Sequence, residues 1–132
     1  MKTTCKNFLR FGILGWCMEI IFTSLHSIQR RDKTLTGNTS LWMFPIYGMG
    51  AFLVPLSSLI KKWHIALRGL TYAILIFSVE FFSGRFLKKR DACPWDYSRS
   101  KWNISQVIRL DFTPYWIGVG LLFEKLGKTF SP

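Results

Sequence analysis

The sequence predicts an all-α membrane protein, a four-helix transmembrane bundle with a structured, partly re-entrant or interfacial segment before the last helix. Three observations carry that expectation. Of the 132 residues 49% are apolar, which leaves too little polar surface for a chain surrounded by water. The apolar residues gather into stretches near the roughly 20 residues that a bilayer-spanning helix needs. Between the stretches stand basic groups, Lys2/Lys6/Arg10, Arg30/Arg31/Lys33, Lys61/Lys62 and Lys88/Lys89/Arg90, within a total of 18 Lys and Arg against 7 Asp and Glu.

The first span covers about residues 7–28. Its basic start resembles a signal peptide, but Glu19 interrupts the apolar core, no small-residue cleavage site follows, and bulky residues continue through Leu25. Gly37-Asn38 marks a turn in the polar connection that follows. A second span, about 41–60, holds Pro45 near its start and Pro55 inside, where proline kinks a helix. The link of 61–64 is short and implies that spans two and three are antiparallel neighbours. Span three covers about 65–87. The polar segment 88–112 contains Trp95, Tyr97 and Trp102, a composition that favours a folded surface segment over a flexible linker. Thr113-Pro114, an N-cap and a proline at the first helical position, opens a last span of about 113–126. Together these form a single integral membrane domain, 1–132. Basic residues are nearly balanced between the two sides, so the positive-inside rule leaves the orientation open.

A net charge of +11 suits either nucleic acid or anionic lipid. Long apolar stretches and the absence of a nucleic-acid motif favour lipid headgroups as the partner. Cys5, Cys17 and Cys93 have neither zinc spacing nor a pairing framework, and His26 and His64 are isolated, so no metal is expected. No P-loop, GxSxG, HExxH or dinucleotide fingerprint is present, so no cofactor is expected either.

The candidate site lies inside the spans. Glu19 stands near the middle of span one, where an ionisable group costs several kcal/mol unless it is paired, hydrated or protonated. Gly12, Gly15, Glu19, Thr23 and His26 recur at helical spacing and make one small, polar stripe. Glu80 repeats the arrangement in span three, with Gly69, Ala73, Ile76 and Gly84 on its stripe. Measured from the starts of their spans, the two carboxylates differ by about 4.5 Å in depth at about 1.5 Å per residue. They are expected to share a cavity, and then to bind a cation, pair with Arg or share a proton. Arg109 and Arg68 are candidate partners, and a structural ion pair that fixes helix rotation is the plainer alternative. Tyr47 has a hydroxyl within potential reach of a carboxylate; near a span's end it also suits an interfacial anchor. Asp96 lies in Trp95-Asp96-Tyr97-Ser98, a turn with two amphipathic rings. The expected substrate-binding set is therefore Glu19, Glu80, Tyr47, Asp96 and Arg109.

Several segments together resemble a bacterial family, the putative ABC-transporter permease, CmpB-like group, also called putative ABC-transporter type IV. The matching residues are Gly15-Trp16-Cys17-Met18-Glu19, Pro45-Ile46-Tyr47-Gly48-Met49-Gly50, Glu80 with Gly84, and Trp95-Asp96-Tyr97-Ser98 followed by Asn103, Ile108 and Leu110. The chain departs from that pattern at Gln106, where the family tends to have Gly. The resemblance implies a small multi-pass protein of the bacterial inner, or cytoplasmic, membrane. Neither a nucleotide-binding domain nor a coupling helix is recognisable in the chain, and four helices need to oligomerise to enclose a pathway. The leading reading is a permease-like protein, a homo-oligomer or one with a partner membrane subunit, whose carboxylates line a polar cavity for a cation or small polar solute. Two others stand beside it. One is an intramembrane enzyme acting on a lipid or isoprenoid, with Glu19 or Glu80 as acid/base and Asp96, Arg99 and Arg109 holding a headgroup phosphate. The other is a non-catalytic membrane subunit of a larger complex.

Overall fold

The computed structural model describes residues 2–130; residue 1 and residues 131–132 of the expected 1–132 domain lie outside the described residues. The chain is mostly helical: α1 (Lys2–Gln29), α2 (Met43–Gly48), α3 (Leu53–Leu59), α4 (Ile65–Lys88) and α5 (Thr113–Phe130). A two-stranded antiparallel ladder, β1 (Asn103–Ile104) with β2 (Ile108–Arg109), lies before α5 and pairs Asn103 with Arg109 and Ile104 with Ile108. Thr3–Gln29 and Ile65–Lys88 are each long and apolar enough to cross a membrane.

The proline expectation has a visible consequence. Pro55 has no N–H for the carbonyl of Ala51, and its ring crowds that turn. The helical run 43–59 accordingly tightens into a 3-10 turn at Met49–Phe52 between α2 and α3. Gly48, Ala51, Pro55 and Ser58 recur at helical spacing along this run, and their burial changes phase at the turn: Gly48 and Ala51 are buried, but beyond it Ser57 is buried whereas Pro55 and Ser58 are exposed.

Two compact units divide at the same turn, one ending at Ala51 and the other beginning at Phe52. In the first, α2 packs on the N-terminal half of α1 around Phe11 and Tyr47. Gly15 admits this contact, because a Cβ there would overlap the root of the Tyr47 ring. Residues 30–42 run back along α1, fixed by Thr23 Oγ1, which donates to the Asn38 carbonyl (3.1 Å), and by Trp16 Nε1, which donates to the Ser40 carbonyl (3.0 Å).

In the second unit α5 packs against α4, with Tyr72 fully buried where Gly120 leaves room. The short link after α3 leads to a different pairing from the expected one, because α3 packs chiefly on α5, where Val54 meets Gly127. His64 caps α4, its Nδ1 accepting from the Ala66 N–H at 3.1 Å. The last helix continues to Phe130, four residues past the expected end, and at about 1.5 Å per residue reaches about 27 Å.

Both long helices end in the same hydrogen-bonded cap. Arg31 N donates to Ile28 O and Asp32 N to Ser27 O after α1; Asp91 N donates to Lys88 O and Ala92 N to Leu87 O after α4. The residue in the left-handed position is Arg31 (φ 61°) in one and Asp91 (φ 55°) in the other, where glycine is usual.

Candidate functional site

Glu19 lies on the stripe of α1 that packs against α2 and the returning segment. Tyr47 Oη donates to Glu19 Oε1 at 2.9 Å, so the residue expected either to anchor or to reach a carboxylate does the latter. Gly12 and Gly15 receive the Phe44 and Tyr47 rings, and Thr23 receives the backbone of Asn38. The polar stripe therefore serves as a packing face with a half-buried carboxylate in its middle.

Glu80 is only 8% exposed. Tyr97 donates to it, with Oη 3.0 Å from Glu80 Oε1. Tyr97 rides on the segment between α4 and α5, which folds over the last turns of α4. Trp95 and Val107 close on Gly84, and Trp95 Nε1 donates to the Val107 carbonyl at 2.8 Å. Lys88, the last residue of α4, holds the segment by two contacts, to Gln106 Oε1 at 3.0 Å and to Asp96 Oδ1 at 3.5 Å.

The arginines proposed beside Glu80 have ion pairs elsewhere. Arg68 Nε lies 3.3 Å from Glu124 Oε2, joining α4 to α5. Arg109 forms a two-point pair with Asp111, its Nε to Oδ1 at 3.0 Å and its Nη2 to Oδ2 at 2.5 Å. That pair holds Asp111 below the usual carboxylate range and raises Arg109 further. The Arg109 guanidinium also sits 4.3 Å over the Phe112 ring, which meets the Tyr97 ring edge-on at 5.7 Å, so Arg109 supports the ring that serves Glu80. Asp96 accepts from the Ser98 backbone N–H and hydroxyl, both at 3.0 Å, and these bonds, with Lys88, lower its pKa.

Sequence reasoning missed two members. Tyr97 was visible as an amphipathic ring, but nothing local distinguishes a headgroup anchor from a donor to a buried acid. Glu124 is 5% exposed and accepts from Arg68 and from Lys128 Nζ at 3.3 Å. Its i,i+4 spacing with Lys128 was available, but the expected end of the last span hid its depth.

The structure brings Glu19 to Tyr47 within one compact unit, and Glu80, Asp96 and Arg109 onto one connected framework within the other. Chemically, each arrangement presents a carboxylate oriented by a neutral hydroxyl donor in apolar surroundings, suited to exchanging a proton or a cation. No solved structure matches the chain. The family described as putative ABC-transporter type IV matches residues 6–131, nearly the whole length, and the chain belongs to that family.

Proposed function

We propose that this is a permease-like, multi-pass protein of the bacterial inner membrane whose paired carboxylates, Glu19 and Glu80, line a polar cavity for a cation or small polar solute. The observation that carries the reading is the hydroxyl donor given to each carboxylate, Tyr47 to Glu19 and Tyr97 to Glu80, on helices otherwise suited to lipid. A bare carboxylate at such depth is costly, and a neutral donor lowers the cost without cancelling the charge as an Arg would.

In this reading the four helical stretches span as one membrane domain, and 88–112 lies at the interface or partly re-entrant. Tyr47 orients Glu19, and Asp96 and Arg109 hold the segment that covers Glu80. Outward apolar side chains such as Ile21 (61% exposed) and Phe82 (70%) face lipid or a neighbouring subunit. The partners are anionic headgroups and either further copies of the chain or a second membrane subunit.

The test is flux of protons, monovalent cations and small polar solutes through proteoliposomes containing wild type, Glu19→Gln, Glu80→Gln or both. Each single change is expected to reduce flux at least tenfold. If the two acids share a cavity, the double variant loses little more than either single one. Flux that survives both changes removes the assignment.

A further inference from the structure

We propose that the end of α4 and the folded segment after it form a docking surface for the phosphate headgroups of anionic lipid. This surface rests on the membrane reading above, and two of its cations are already occupied. Lys88 and Arg109 are engaged with Asp96 and Asp111. Arg85, Lys89, Arg90, Arg99 and Lys101 are exposed and have no acidic partner among the described residues. Against them stands one exposed acid of the segment outside an ion pair, Asp91.

A helix C-terminus attracts basic residues by itself, and that accounts for Arg85, Lys89 and Arg90. It does not account for Arg99 and Lys101, which lie in the connecting segment and are carried to this end of α4 by the Lys88 bridges to Asp96 and Gln106. Two of the cations at this helix end are also held in place. The Arg90 guanidinium sits 3.9 Å from the Phe86 ring centroid and that of Arg85 5.5 Å from Phe81. Stacked on apolar rings, they keep their charge at the surface with fewer rotamers to lose on binding.

Apolar residues on the same segment choose the partner. Trp102 is 57% exposed beside Lys101, and Ile104 and Leu110 are each 42% exposed. A free phosphate offers nothing to these side chains, and a nucleic acid, whose bases could stack on Trp102, offers no apolar phase to Ile104 and Leu110. A bilayer surface offers headgroup charge and acyl boundary together, and this surface ends a helix long enough to span.

The experiment uses the full chain in a neutral detergent, titrated with phosphatidylglycerol, phosphatidylcholine or inorganic phosphate while its unfolding midpoint is followed. Phosphatidylglycerol is expected to raise the midpoint, with little response to the other two. At about 1 kcal/mol per surface cation, Arg99→Gln with Lys101→Gln weakens the apparent affinity roughly 30-fold. Equal shifts with phosphatidylcholine or inorganic phosphate, or a double variant that responds as wild type does, overturn the proposal. Arg99 and Lys101 lie outside the carboxylate machinery, so lost lipid selectivity is read apart from flux: unchanged selectivity with intact flux would sink the surface and leave the transport reading standing.

Discussion

The two compact units solve one problem with different supports. Each presents a long apolar helix with a glutamate near its C-terminal third, closes that helix with the same two-bond cap, and continues into a segment that returns along it. Each then supplies a tyrosine hydroxyl to the carboxylate. In the first unit the tyrosine belongs to a helix, α2, and its ring is wedged over Gly15. In the second it belongs to a non-helical segment held by Lys88, Trp95 and Gln106. A helix-borne donor moves only if its helix moves, whereas a loop-borne donor can shift once a few side-chain bonds open. Glu80, the more buried carboxylate, therefore has the more adjustable cover.

The largest effects should come from filling the glycine clefts. A methyl at Gly15 meets Cβ and Cγ of Tyr47, atoms close to the backbone that cannot turn aside. A methyl at Gly84 meets Val107 at 2.8 Å and the rim of the Trp95 ring at 3.0 Å, which can retreat with their segment. Gly15→Ala is expected to cost about 3 kcal/mol and Gly84→Ala about 2 kcal/mol, within or near the overpacking range. Unfolding in mild detergent measures both, and a reversed order would break the contrast between rigid and adjustable covers.

Next comes loss of the hydroxyls. Tyr97→Phe takes a donor from a carboxylate that is 8% exposed and is expected to cost roughly 2 kcal/mol. Tyr47→Phe acts on the half-buried Glu19 and is expected to cost roughly 1 kcal/mol. Equal losses would mean that burial does not distinguish the two acids.

How much of this was legible follows the range of the interactions. The stripes of Glu19 and Glu80 are local, three and four residues apart, and their glycines do mark the packed faces. Pro55 also acted locally, and the helix tightens one turn before it. The pairing of Arg68 with Glu124, 56 residues away, has no local trace. Which acid Tyr97 serves depends equally on how the 88–112 segment folds back. The departure at Gln106 was visible as a missing glycine, and the backbone there is indeed left-handed, φ 65°.

Those left-handed positions give smaller effects. Arg31→Gly and Asp91→Gly remove the Cβ conflict at the two helix caps, and each is expected to stabilise its unit by about 1 kcal/mol. Gln106→Gly relieves the same strain but loses the bond from Lys88, so its net change should be near zero. A gain at Gln106 as large as at the caps would show that the Lys88 bond contributes nothing to the cover.

The smallest effect concerns two matching turns. Asp32 accepts from the N–H and hydroxyl of Thr34, and Asp96 from those of Ser98, in each case two residues ahead. Both carboxyls are therefore held below their ordinary value, Asp32 by Thr34 and Asp96 first by Ser98. A depressed folded pKa means that each turn's stabilisation is complete above the ordinary aspartate value of about 3.9 and fades as pH falls through the lower folded value. The turns differ in one respect, since Asp96 also faces Lys88 at 3.5 Å. Raising salt to about 1 M shrinks the screening length to about 3 Å, so the Asp96 midpoint should move back toward the ordinary value while that of Asp32 stays. Carboxyl-carbon NMR titration of both residues reads this directly. Lys88→Met should reproduce the salt effect at Asp96 alone. An equal salt response at the two would show that the cover over Glu80 carries no electrostatic latch that the first unit lacks.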